Sequence, residues 1–160
     1  MEKDALSRRF AIFQTRPKVD GLEQQIEDCI RGIDPPILSI PGIGALSAAV
    51  ILSEYGDFSK FKNPSKMLSF AGLEPGYFQS GQSEFHGRMV RHGSSNLRYV
   101  LLNCCLPLVT HEPVFAEYYA KKRAEGKPHQ VAMTHVAKKL LRVIYTLQTR
   151  NIPYDPTLIR

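Results

Sequence analysis

Ile37-Leu38-Ser39-Ile40-Pro41-Gly42-Ile43-Gly44-Ala45-Leu46-Ser47-Ala48-Ala49-Val50-Ile51-Leu52 reads as a short helix, a Pro-Gly-apolar-Gly turn, and a second helix rich in small residues. This pattern predicts a helix-hairpin-helix, an element that grips the backbone of DNA. Glycine permits the tight turn, because it adopts φ values that other residues avoid. The turn then aims the unpaired N–H groups of the second helix's first turn outward, where the helix dipole favours a phosphate. Pro41, Gly42, Ile43 and Gly44 are therefore candidate DNA-binding residues. Ala45, Ala48 and Ala49 let the two helices approach, and Ile40, Ile43, Leu46 and Val50 fill the joint. The same string also suits an ordinary glycine-capped connection between helices, and its spacing leaves both readings open.

The rest of the chain bounds the answer. Its 160 residues are 43% apolar, which supports a core and excludes wholesale disorder. A net charge of +6 and a pI near 9.3 point to a polyanionic partner: DNA, RNA or a membrane surface. Met1-Glu2-Lys3-Asp4 carries mixed charge with no apolar run behind it, so no targeting signal is read. The most apolar run, Tyr99 to Val109, contains Asn103 and Pro107 and is too short to span a bilayer. Cys29, Cys104 and Cys105 have neither disulfide nor metal-ligand spacing and read as reduced core or near-core thiols of a cytoplasmic protein.

Local signals predict a mostly α fold. Residues 1–35 form a helical arm in which Asp20 and Glu23 resemble an N-cap and its reciprocal acid. Its narrow stripe of Leu22, Ile26, Cys29, Ile30 and Ile33 suits a partner helix and suggests a homo-oligomer. Residues 36–154 form a compact helical bundle, and residues 155–160 a tail. Asp57 and Asn63-Pro64 start helices; the helix from Pro64 to Ala71 has Met67, Leu68 and Phe70 as core and Lys66 as a candidate phosphate contact. Between Gly72 and Ser95 the periodicity breaks into an irregular loop or short hairpin, with Tyr77-Phe78 and Met89-Val90 as possible strands. Ser94 or Ser95 caps a nearly all-apolar central helix from Asn96 to Thr110, and Pro113 starts another that runs to Ala124. The last helix places Val136, Leu140, Val143, Ile144 and Leu147 on one face and His135, Lys138, Lys139 and Arg142 on the other.

Chemistry concentrates in the irregular segment. Ser80 and Ser83 are hydroxyls on a glycine-rich loop, followed by Arg88, Arg91 and Arg98, whose forked guanidinium groups suit phosphate oxygens. A serine that attacks a phosphodiester needs such cations against the charge building on the non-bridging oxygens. The bland alternative is a solvated basic loop that only holds phosphates. Asn96 joins the candidate DNA contacts beside Arg98. His86, His92 and His111 lack ligand spacing, and Glu54, Asp57, Glu74 and Glu84 are scattered, so no metal site is expected in this chain.

Five landmarks then fall in one order: Pro41-Gly42-Ile43-Gly44, Phe70-Ala71-Gly72-Leu73-x-Pro75, Gln79-Ser80-Gly81, Arg91-x-Gly93-Ser94-x-x-Leu97-Arg98 and Ala137-Lys138-Lys139-Leu140-Leu141. From about Ile37 to Tyr154 the chain resembles the C-terminal domain of the insertion-sequence-110 transposases (the IS116/IS110/IS902 group). The resemblance implies a recombinase that cuts and rejoins DNA strands during insertion-sequence transposition. An N-terminal ribonuclease-H-like domain with four acidic ligands would hold divalent metal (Mg), and a structured guide RNA would direct the protein to DNA. It puts the family's serine on Ser80, with Ser83 as competitor, and the basic-Gly-Ser segment on Arg91, Gly93, Ser94, Leu97 and Arg98. His92 stands where Lys or Arg is common. The acidic domain is not in this chain, so the piece alone is expected to bind nucleic acid without completing strand exchange. Two rivals are a non-catalytic helix-hairpin-helix module of repair or recombination, and a base-excision glycosylase fragment. The second requires a lysine just after the turn, where Ala45-Leu46-Ser47 stands.

Overall fold

The computed structural model describes residues 19–80, 83–89 and 93–158, with side chains described for 19–74 and 93–157. The fold is mostly α. A helix over residues 19–33 (α1) leads through a single 3-10 turn, Pro36–Ser39, to Ala45–Tyr55 (α2) and Pro64–Phe70 (α3). An antiparallel pair, Pro75–Ser80 (β1) and Ser83–Met89 (β2), follows. Ser95–His111 (α4), Pro113–Ala124 (α5) and His129–Arg150 (α6) complete the body, and the segment after α6 ends in a 3-10 turn, Pro156–Leu158.

The 22-residue α6 is the axis of the body, about 33 Å long at the rise of an α-helix. Its buried face, which includes Val136, Ala137, Leu140, Leu141, Ile144 and Leu147, follows the 3.6-residue period and packs against α3, α4 and α5. α4 and α5 are bent by 102° where Pro113 opens a new helix, so both can lie on α6. Tyr55 binds α2 to α3 by donating to the Met67 carbonyl at 3.0 Å, and its ring meets Phe58, Phe61 and Phe70 at about 5.5 Å. Tyr145 of α6 donates to the Phe61 carbonyl at 3.0 Å, which fixes the approach to α3. No single helix among the described residues is long and apolar enough to cross a membrane.

Local starts follow their sequence signals. Asn63 accepts from the Lys66 amide, Ser94 accepts from the Leu97 amide, and Asp57 accepts from the Ser59 amide. Other expectations are corrected. Asp20 is not an N-cap, because residue 19 is already helical. Cys29 is exposed, since it faces away from Ile30, the arm's buried residue among those described. Phe70 is 43% exposed, because its ring rests on the rim of the aromatic cluster. α4 is not apolar-buried all round: Tyr99 and Leu106 stand in solvent. The irregular segment is a hairpin with longer strands than Tyr77-Phe78 and Met89-Val90 suggest; Val90 lies outside the described residues.

Candidate nucleic-acid interface

The hairpin rises from a base built by two separated stretches of sequence. The Phe70-Ala71-Gly72-Leu73 stretch ends α3 with a left-handed glycine: Gly72 has φ +65°, its amide donates to the Ser69 carbonyl, and the Leu73 amide donates to the Leu68 carbonyl. Leu73 and Leu68 are both buried, which supplies the apolar contact that accompanies such a cap. Gly93, on the far side of the hairpin, lies directly on this turn with φ +115°. A Cβ there would stand 2.5 Å from the Phe70 carbonyl oxygen and 2.6 Å from the Gly72 nitrogen. The Ser94 amide donates to the Phe70 carbonyl at 3.1 Å, and Arg98 donates from Nη1 to the Ala71 carbonyl at 3.3 Å. Two of the landmarks are thus one object in space. Arg98→Ala should cost about 1–2 kcal/mol by leaving that carbonyl short of its charged donor; urea unfolding measures it, and an unchanged midpoint contradicts the assignment.

Above the base, β1 and β2 pair Tyr77 with His86, Phe78 with Phe85, Gln79 with Glu84 and Ser80 with Ser83, with an irregularity between Pro75 and Tyr77. Ser80 and Ser83 are therefore cross-strand neighbours at the end of the ribbon. Arg88 is five positions along β2 from Ser83, about 16 Å at strand rise, within the stretch from His86 to Met89 where the register shifts. Along the backbone, Arg88 thus stands well back from the end of the ribbon that carries Ser80. Arg91 and His92 lie outside the described residues.

The Pro41–Gly44 turn sits elsewhere. Gly42 has φ +85°, and a Cβ on it would come 3.0 Å from Pro107 Cβ and 3.1 Å from Pro107 Cγ of α4. Its glycine character is therefore required by the fold. Ile43 is 6% exposed, and its amide donates to the Ile40 carbonyl, so its side chain serves the core. Gly44 differs: its φ is an ordinary −81°, and nothing lies within 4 Å of where its Cβ would be. As N-cap of α2 it makes no side-chain bond, and Pro41, Gly42 and Gly44 are exposed. Gly42 touches Pro107, nine residues beyond Arg98, so the turn and the hairpin base stand about 14 Å apart along α4. Lys66 and Asn96 are exposed at the starts of α3 and α4.

A second basic surface lies on α5 and α6. His135 is held below the usual imidazole range by partial burial first, then by the charges of Lys138, Lys122 and Lys127. Lys138 is lowered by burial and by Arg142, against the opposing pull of Glu74 at the foot of β1. Lys139 has a structural role: it donates to the Val114 carbonyl at 3.3 Å and lies over the rings of Tyr118 at 5.0 Å and Phe115 at 5.4 Å. Among the described residues no three His, Cys, Asp or Glu side chains come together to hold a metal ion. Sequence reading misses the closure of the base by Gly93 and the engagement of Lys139. The one trace of the first is a pair of glycines bracketing the irregular segment.

The sequence model of the family described as "Transposase IS116/IS110/IS902 family" matches residues 34–120. An uncharacterized 43.6 kDa protein of insertion element IS110 from Streptomyces coelicolor is 30% identical over 137 residues, covering 84% of this chain and 34% of its own. The transposase for insertion sequence element IS1111A from Coxiella burnetii is 27% identical over 154 residues, covering 94% and 41% respectively. A pilin gene-inverting protein from Moraxella bovis is 29% identical over 124 residues, covering 74% and 38%. The chain thus spans between about a third and two fifths of these relatives' lengths. With the match extending over the turn, the hairpin and its base, the chain belongs to the IS116/IS110/IS902 transposase family.

Proposed function

We propose that this chain is the DNA-holding and serine-contributing domain of a transposase that cuts and rejoins DNA strands, with Ser80 as nucleophile. One observation carries the reading: two motifs twenty residues apart interlock through Gly72, Gly93 and Arg98 to hold a ribbon with Ser80 at its end. A rigid base under a projecting nucleophile supplies the positioning that attack on a phosphodiester needs. On this reading Gly44 and the first amides of α2 hold one backbone phosphate, while Lys66, Asn96, the remaining donors of Arg98, and Arg88 and Arg91 hold others. A separation of about 14 Å equals about four steps along a DNA strand at 3.4 Å each. Metal chemistry would be supplied by an acidic domain of the kind that the family resemblance implies. A structured guide RNA would direct the protein to its DNA.

Duplex affinity should fall steeply with salt, with a log–log slope of about −0.9 for each phosphate neutralised. Fluorescence anisotropy across a salt series measures it, and an affinity indifferent to salt overturns the reading. Gly44→Ala sharpens the test. The fold leaves room for the methyl group, so stability should change by under about 1 kcal/mol. Duplex affinity should nonetheless drop about five-fold, equivalent to roughly 1 kcal/mol.

The arm supports pairing with a second copy. Val19, Leu22, Ile26, Cys29 and Ile33 follow a 3-4-3-4 spacing, and all five are exposed. A Leu22→Asp, Ile26→Asp double variant should sediment as a monomer where the parent sediments as a dimer. Identical masses for the two would refute the pairing.

A further inference from the structure

The last turns of α6 and the segment that folds back after them enclose a groove of about 300 Å³ that the duplex grip does not use. Its floor is apolar: Val143 and Leu147 from α6, Ile152 and Pro153 from the returning chain. Its rim carries Arg142 and Arg150, both exposed. The returning wall is firmly built. Asn151 ends α6 in the left-handed conformation, the Ile152 amide donates to the Leu147 carbonyl, and the Tyr154 amide donates to Ser39 Oγ at 2.7 Å.

Charge and size narrow the occupant. Lys139 also lines the groove, but its ammonium is engaged with Val114 and two aromatic rings. Asp155, the acid in the lining, has Oδ1 occupied by the Thr157 amide and hydroxyl at 2.8 and 2.7 Å. Thr146 turns its hydroxyl inward to the Arg142 carbonyl. Among the described residues neither the Arg142 nor the Arg150 guanidinium has a hydrogen-bond or ion-pair partner, so two guanidinium groups, against the single carboxylate of Asp155, flank an apolar shelf. Guanidinium suits a phosphate bidentately, and an apolar shelf suits the face of any base. A volume near 300 Å³ is at the small end of ligand sites, the scale of one small molecule or nucleotide. From this we propose that the groove binds one unpaired nucleotide of a nucleic-acid strand, its phosphate between Arg142 and Arg150 and its base on Val143, Leu147, Ile152 and Pro153.

This goes beyond the duplex grip and shares with it only the class of polymer. The whole chain would be titrated by anisotropy with labelled twelve-nucleotide dT, rU and abasic strands and with a twelve-base-pair duplex, at one salt concentration. Arg142→Gln, Arg150→Gln should weaken single-strand binding about ten-fold or more, since even one hydrogen bond to a charged group is worth that much, and change duplex binding less than two-fold. Lys60→Gln, Lys62→Gln removes the same charge from exposed positions elsewhere and should change single-strand binding less than two-fold. The abasic strand should bind several-fold more weakly than dT to the parent chain. Equal losses for dT and rU support a site open to either polymer, while a loss confined to one assigns the strand to it. An unchanged single-strand affinity in the arginine variant, an equal loss in the lysine control, or equal binding of the abasic strand overturns the groove. So does displacement of the strand by an acidic peptide at equal concentration. Any of these beside intact, salt-dependent duplex binding leaves the duplex reading standing.

Discussion

Gly93→Ala is expected to remove about 4 kcal/mol or more of stability, a large share of what a domain of this size has. Two costs add. The backbone at φ +115° is a region that a residue with a side chain enters only under strain, commonly 1–3 kcal/mol. The new methyl carbon would also lie 2.5 Å from one backbone atom and 2.6 Å from another, and neither can swing aside as a side chain would. Relief requires Gly93 to lift off the end of α3, which breaks the Ser94-to-Phe70 hydrogen bond and draws Arg98 from Ala71. For 160 residues this corresponds to a fall in Tm of about 10–15 °C. Gly42→Ala should fall between Gly93→Ala and Gly44→Ala, because the Pro107 ring at 3.0 Å can yield a little where a carbonyl cannot. Thermal unfolding by circular dichroism reads all three. A Gly93→Ala protein melting within 3 °C of the parent would mean that the base is not closed as described.

Ser80→Ala, tested with this domain joined to an acidic metal-binding domain, should reduce strand cutting by about three orders of magnitude or more, the scale on which loss of a nucleophile reads out. The proposed step forms a bond from Ser80 Oγ to phosphorus and breaks the bond from phosphorus to the 3′ oxygen. The serine proton leaves to a base, and the released 3′ oxygen takes one up. Duplex affinity should stay within about two-fold, because a hydroxyl at the ribbon's end adds little to a grip made by several charges. Ser83→Ala is the decisive companion, since the two serines are cross-strand neighbours. A covalent protein–DNA species on a denaturing gel should persist in Ser83→Ala and vanish in Ser80→Ala. The reverse moves the nucleophile across the ribbon to the paired strand. Full activity in both returns the chain to a non-catalytic DNA-binding module.

Much of the helical frame is legible because its signals are local. Asn63 before Pro64, Ser94 three residues before Leu97, and Pro113 each act on the nearest turn, and the stripe on α6 reports its own buried face. What is not legible depends on residues distant in sequence. Gly93 gives no sign of which backbone it lies against, since Phe70 and Gly72 are more than twenty positions away. Lys138 and Lys139 are identical as letters, yet one faces Arg142 and Glu74 while the other is engaged with Val114, Phe115 and Tyr118. The Pro41–Gly44 turn shows the limit most directly. Its two glycines look equivalent in the sequence, but the packing of α4 explains Gly42 and leaves Gly44 without a structural reason.

The closure of the hairpin base has a consequence for how such a domain can diversify. Because Gly72 and Gly93 bring the two ends of the insert together on the body's own hydrogen bonds, the entropy of closing that loop is met by the scaffold. Ribbons of different length or sequence can then be exchanged at this junction with little effect on folding. The junction is a socket, and selection can rewrite the ribbon plugged into it while leaving the bundle untouched.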